Sequence, residues 1–229
     1  MDFNQAIEKI EQAYYSLVYR QYARSYRFLL TPKKNFTSAT DIVLLSQNPG
    51  GGSPIPGHSP YSCEDGPAHL TESWKNNNPP SKDPLQIQVQ KLFQELSNHI
   101  PGNSNLIYEA LMAYFIPFRT PEISKLPAKK ASIEFSLNLW SEILSFIQPK
   151  LILCLGKEVS QNVKKIYADQ SYKSSIEKLK WGDITGEVFK YEGGLRVLGF
   201  PHLSRFRIFN RQECYPPINK LLEEATQNW

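Results

Sequence analysis

The sequence has few cysteines. Cys63, Cys154 and Cys214 are the only three in 229 residues, far apart and odd in number. A disulfide framework needs recurring pairs, so free thiols in a reducing compartment are expected. No CxxC or HxxxH spacing occurs, which leaves a zinc or iron–sulfur site without its usual ligand pattern. No apolar run reaches the ~18 residues of a membrane-spanning helix, so no membrane partner is expected. The opening residues, MDFNQAIEKIEQAYY, hold no apolar signal core. An intracellular location (cytoplasm, nucleoid or nucleus) is expected rather than secretion. A lysine-bearing phosphate loop and a dinucleotide fingerprint are both missing. So are internal repeats and low-complexity tails. What remains is ordinary globular composition, 41% hydrophobic and 21% charged, with a net charge of +4. A chain of this length buries one core, so one domain over residues 1–229 is expected.

Apolar groups at Phe3, Ile7, Ile10, Tyr14, Leu17, Val18 and Tyr22 recur at steps of three and four. That spacing predicts an amphipathic helix over residues 3–22. The apolar run 42–45 predicts a buried strand over 41–46. Roughly forty residues rich in Gly, Pro, Ser and Asn follow, and an unstructured connection of that length is usually functional. Helices are predicted over 85–100, 128–147, 157–167 and 216–226, where Pro217 suits a first turn. Residues 106–118 read as a second extended segment. The continuous run KLILCLG, residues 150–156, marks a central parallel strand covered on both faces. Residues 184–191, Gly193-Gly194 and residues 195–200 predict a hairpin whose second arm joins the sheet. The alternation predicts an α/β fold, a three-layer α/β/α sandwich around a mostly parallel four-stranded sheet.

Two strand ends stand out. The first strand stops at Ser46-Gln47-Asn48-Pro49 and three glycines, Gly50, Gly51 and Gly52. Ligands of open α/β sheets bind beyond the carboxyl ends of strands, and glycine lets a ligand approach the backbone. The last strand ends at Pro201-His202-Leu203-Ser204-Arg205. Arg205, Arg207 and Arg211 then interleave with Phe206, Phe209 and Tyr215, a mixture suited to holding phosphates and stacking bases. His58 and His69 lie in the long loop without a third ligand at suitable spacing, so no metal is expected there.

These residues resemble the motifs of the uracil-DNA glycosylase superfamily. Gln47-Asn48-Pro49-Gly50 is similar to the first motif, nearest the Asn-Pro-Gly version of the mismatch-specific and single-strand-selective branches. His202-Leu203-Ser204-Arg205 is similar to the second. Tyr61, thirteen residues past Asn48 and preceded by Pro60, falls where the family has the ring that stacks on the flipped base. KLILCLGKEV resembles the family's central strand and the helix after it. The resemblance implies a monofunctional DNA glycosylase of base-excision repair, needing no cofactor and acting on DNA as a monomer. No lysine lies within the motifs, so a Schiff-base lyase step is not indicated.

On that resemblance, His202 donates to a carbonyl of the departing base and stabilises its negative charge. Asn48, an amide that does not titrate, orients the attacking water. Gln47, Gly50, Tyr61 and Tyr114 face the base. Stacking on Tyr61 is worth ~1–3 kcal/mol, and Gly50, in place of a bulky Tyr, admits a larger base. The backbone of Gly51 and Gly52 comes close to base or sugar. Ser204, Arg119, Arg207 and Arg211 contact phosphates, and Arg205 with Phe206 fills the gap left by the flipped nucleotide. One position departs from the family. Relatives often carry an Asn at the end of the second strand, where this chain has Tyr114, whose single oxygen cannot make a paired amide contact. Two other readings stay open: a non-catalytic binder of abasic or mismatched DNA, and a small-molecule enzyme that uses the glycine loop for a phosphate.

Overall fold

A computed structural model describes residues 1–16, 25–51, 53–74, 78–102, 105–126, 128–227 and 229. Leu17, Val18 and Tyr22 of the first predicted helix, and Gly52 of the glycine loop, lie outside the described residues. The strands are β1 (Ile42–Ser46), β2 (Leu111–Tyr114), β3 (Leu151–Leu155), β4 (Tyr172–Lys178), β5 (Thr185–Tyr191) and β6 (Arg196–Phe200). They form one mixed sheet in the order β2-β1-β3-β6-β5-β4. β1 pairs in parallel with β2 and β3, and β3 with β6. β5 runs antiparallel to both β6 and β4. The expected four-stranded sheet is corrected to six. Its parallel part is β2-β1-β3-β6, and an antiparallel pair extends it past β6.

The unforeseen strand is β4, YKSSIEK. It sits at an edge and is largely exposed, with Ile176 62% accessible. An edge strand with lysines at both ends resists pairing with other chains, and it carries no apolar run for a sequence pattern to detect. β1 and β3 are the opposite case, buried at every position.

The described helices are α1 (Phe3–Ser16), α2 (Ala68–Thr71), α3 (Pro84–Ser97), α4 (Leu106–Glu109), α5 (Lys129–Ile147), α6 (Lys157–Ile166) and α7 (Tyr215–Thr226). Alternation along the strands divides the core in two. Val43, Leu45, Ile152 and Cys154 pack with Ile10 of α1, Trp140 and Ile143 of α5 and Val163 of α6. Ile42, Leu44, Leu151 and Leu153 pack with Val89 and Leu92 of α3 and Leu221 and Leu222 of α7. The predicted extended segment 106–118 begins instead with the single turn α4. Leu106 and Ala110 are buried while Tyr108, midway between them, is exposed; one helical turn gives that pattern, whereas a strand would put all three on one face. Helix α3 starts on a capping box. Leu85 N donates to Asp83 Oδ1 at 3.0 Å, and Asp83 N donates to Gln86 Oε1 at 2.9 Å.

Two packing details hold the site's frame. Gly199 on β6 lets α6 close down, because a Cβ there would lie 2.9 Å from Ser160 Cβ. Trp140, fully buried, donates from Nε1 to Phe115 O at 2.9 Å, just after β2. Trp140→Phe leaves that carbonyl unpaired. The variant is expected to lose about 1–3 kcal/mol in chemical denaturation.

Candidate functional site

The carboxyl ends of β1, β3 and β6 are level, since Ser46 pairs with Leu155 and Leu155 with Phe200. Asn48 and His202 each lie two residues past that same edge, with β3 between them. Two strand spacings separate their strands, ~10 Å of backbone.

Asn48 is half-buried. Its Nδ2 donates to Pro49 O at 3.0 Å and to Thr120 O at 3.3 Å. Both partners are carbonyls, so the orientation of the amide follows from chemistry, and Oδ1 is left to accept. The loop is tied a second time, by Thr120 N donating to Pro49 O at 3.1 Å. Gly51 takes φ +84°, a backbone that favours glycine, while a Cβ at Gly50 would meet nothing within 4 Å.

His202 has its Nδ1 2.7 Å from Ser204 Oγ. Burial holds its imidazole below the ordinary range, so the ring is neutral at physiological pH. When the serine hydroxyl donates, the ring proton sits on Nε2; when it accepts, the proton sits on Nδ1. Ser204 is thereby engaged with the imidazole. Gln47, rather than Asn48, shares a cavity with His202. The cavity measures about 430 Å³, and Gly156, Glu158, Glu187 and Phe206 also line it. Gln47 Nε2 donates to Glu158 Oε2 at 2.9 Å, and Lys129 pairs with the same carboxylate at 3.1 Å. Glu158 is a site residue that the motif comparison missed. It lies at the start of α6, the helix that follows the central strand.

The basic segment after His202 divides. Arg205 and Arg207 are exposed. Phe206 is half-buried with its ring 6.1 Å from Trp181, and the Arg211 guanidinium lies 3.9 Å from the Trp181 ring centre. The tip of the β4–β5 hairpin thus supports the segment proposed to meet DNA. Of the expected wedge pair, Arg205 is the member clear of the fold.

One expectation is corrected and one residue is placed deeper than its motif suggested. Tyr61 faces α1, not the glycine loop. Its hydroxyl donates to Glu11 Oε1 at 2.9 Å, and Tyr26 donates to the same oxygen at 2.7 Å. The carboxylate gathers both phenols, and Tyr61 lines a separate hollow with Phe3 and Ile7. Arg119, expected to contact phosphates, lies at the base of the loop. It is 8% exposed and braces the loop, donating from Nη1 to Gly50 O at 2.5 Å and from Nε to Ser25 Oγ at 3.0 Å.

Beneath the loop lies a polar cluster that the motifs did not announce. Arg27 Nη2 pairs with Glu72 Oε1 at 2.5 Å and donates to Cys63 Sγ at 2.9 Å. Glu72 also receives Trp74 Nε1 at 2.9 Å, and its Oε2 lies 3.3 Å from His58 Nδ1. Burial would raise the Glu72 carboxyl, but hydrogen bonding and charge from Arg27, with Cys63 and Trp74 donating as well, bring it below its usual range. Burial pushes the Cys63 thiol up to about 12 and lowers His58, so both are neutral. Tyr114, whose phenol is also raised by burial, stands within electrostatic reach of Arg27 and Arg119. The one available signal was Arg27 itself, a lone charge inside the apolar run YRFLL. A charged residue in such a run is buried with a partner.

Among the described residues, no group of three or more His, Cys, Asp or Glu side chains is arranged to hold a metal ion. No described helix is long and apolar enough to cross a membrane. Neither a scan of the chain against protein-family models nor a search of curated proteins returns a match.

Proposed function

We propose that the protein is a monofunctional DNA glycosylase that hydrolyses the N-glycosidic bond of a flipped, damaged or deaminated base. One observation carries the reading: an amide with a free Oδ1 and a neutral imidazole lie just past the same edge of one parallel sheet. The bond from C1′ to the base nitrogen breaks, and the base leaves with the electron pair. His202 Nε2–H donates to a carbonyl oxygen of the departing base, where negative charge grows. Asn48 Oδ1 accepts a hydrogen bond from the water that attacks C1′, fixing its position without taking its proton; the proton shed as the water oxygen bonds to C1′ ends on the departed base anion, by way of solvent. Arg205 and Arg207 contact the flanking phosphates. The reaction draws on no cofactor, and the reading carries with it an intracellular monomer acting on DNA.

The test is a panel of end-labelled oligonucleotides containing uracil, hypoxanthine or xanthine, read by alkaline cleavage at the abasic product. Wild type releases at least one of these bases. Asn48→Ala slows that release by about 10- to 100-fold, the cost of a misplaced water. Release by neither protein, or equal release by both, removes the proposal.

A second reading rests on Tyr61. With its phenol held by Glu11, and Tyr114 in the place of the family's amide, the protein is a binder of abasic or mismatched DNA without base release. Tight, salt-dependent binding to an abasic duplex, with every base of the panel left intact, selects it.

A further inference from the structure

The cluster beneath the glycine loop is short of one negative charge. Arg27 and Arg119 are 4% and 8% exposed. Arg27 is paired with Glu72, whereas Arg119 has hydroxyl and carbonyl oxygen partners and no carboxylate among the described residues. The residues outside the described set include no Asp or Glu, so none of them supplies one. His58, Cys63 and Tyr114 are neutral, which leaves the cluster at +1. An uncompensated buried charge costs several kcal/mol, and a bound anion offsets it.

Donors are waiting as well. Arg27 Nε is buried without a partner among the described residues. The Tyr114 hydroxyl makes no hydrogen bond among the described residues. Arg27 Nε–H can only donate, and the Tyr114 hydroxyl can donate, which suits a ligand that offers oxygen acceptors. The cluster is reached from solvent at His58, whose side chain is 17% exposed, and at half-buried Tyr114. It also adjoins Asn48, since Arg119 holds Gly50 and its neighbour Thr120 holds the Asn48 amide.

We propose that Arg27, Arg119, His58 and the Tyr114 hydroxyl form a site for an oxyanion, which supplies the missing charge beside Asn48. Its source is a phosphate or the oxygen of an ionised base. The proposal stands on charge and burial, so it survives if base release is never found.

The test is thermal melting of the full chain in inorganic phosphate, in free xanthine at a pH where it ionises, and in free uracil. Each is compared with sodium chloride at equal ionic strength. Phosphate or xanthine is expected to raise the Tm saturably, by roughly 4–10 °C at a hundredfold excess over Kd. Arg119→Met weakens that binding about tenfold or more, and Tyr114→Phe weakens it several-fold. A response to phosphate alone identifies a phosphate site, and a response to xanthine alone a base site. Melting no higher in either than in chloride overturns the proposal. So does binding that Tyr114→Phe and Arg119→Met leave unchanged. If Arg119→Met does not fold, the wild-type titration and Tyr114→Phe decide the matter.

Discussion

His202→Ala is expected to slow base release by about 10²–10³-fold, the usual cost of removing one donor from a developing anion. The loss falls on kcat, because the donor meets full negative charge only as the base departs. His202 hydrogen-bonds Ser204 and lines a cavity, so the variant is expected to keep the melting temperature of wild type to within a few degrees. Ser204→Ala isolates the role of the tautomer. Without the hydroxyl on Nδ1, the ring proton is free to sit on either nitrogen, and the rate falls less than with His202→Ala. The pH profile gives a third check. Burial lowers the His202 pKa, so the neutral donor persists below pH 6.5 and the rate holds there. A rate that His202→Ala leaves untouched means that the histidine is not the donor, and an ordinary imidazole titration near 6.5 means that burial does not lower its pKa.

The strand ends that place His202 and Asn48 were legible because their strands are apolar at nearly every position. Runs such as 42–45 and 151–155 can be satisfied only at the centre of a sheet covered on both faces, and the residue where each run stops is then known. β4 was not legible, because its stability comes from pairing with β5 and not from burial of its own side chains. Tyr61 shows a different limit. A spacing of thirteen residues fixes how far along the chain a ring lies, not which way it points. Glu11, fifty residues earlier, settles the direction. The burial of Arg119 was not legible for the reason that Arg27 was overlooked. An arginine is taken as solvated unless a partner is visible, and here the partners are a backbone carbonyl and residues distant in sequence.

Acid is expected to destabilise the protein chiefly through His69. The ring is fully buried, neither nitrogen has a hydrogen-bond partner among the described residues, and its centre lies 5.1 Å from that of the Trp74 ring. Burial, reinforced by the charge of Arg27, pushes its pKa down from 6.5 to about 3. Between those values the unfolded chain binds a proton that the folded chain refuses. Stability is therefore complete above pH 6.5, falls as pH drops through that value, and goes on falling to about pH 3. One proton gives a slope of about 1.4 kcal/mol per pH unit, or about 4–5 kcal/mol over the whole window. Carboxylates with lowered pKa values, Glu72 among them, add their own losses below pH 4.5. The range from pH 6.5 to 5 thus isolates the histidines, and His58 and His202, also lowered, act there in the same direction. Urea denaturation of wild type and His69→Leu across that range separates the contributions. The variant loses about 2 kcal/mol less than wild type, because leucine fills a similar space and has no proton to refuse. Parallel curves for the two proteins would show that His69 is protonated in the fold, and that a counter-charge reaches it.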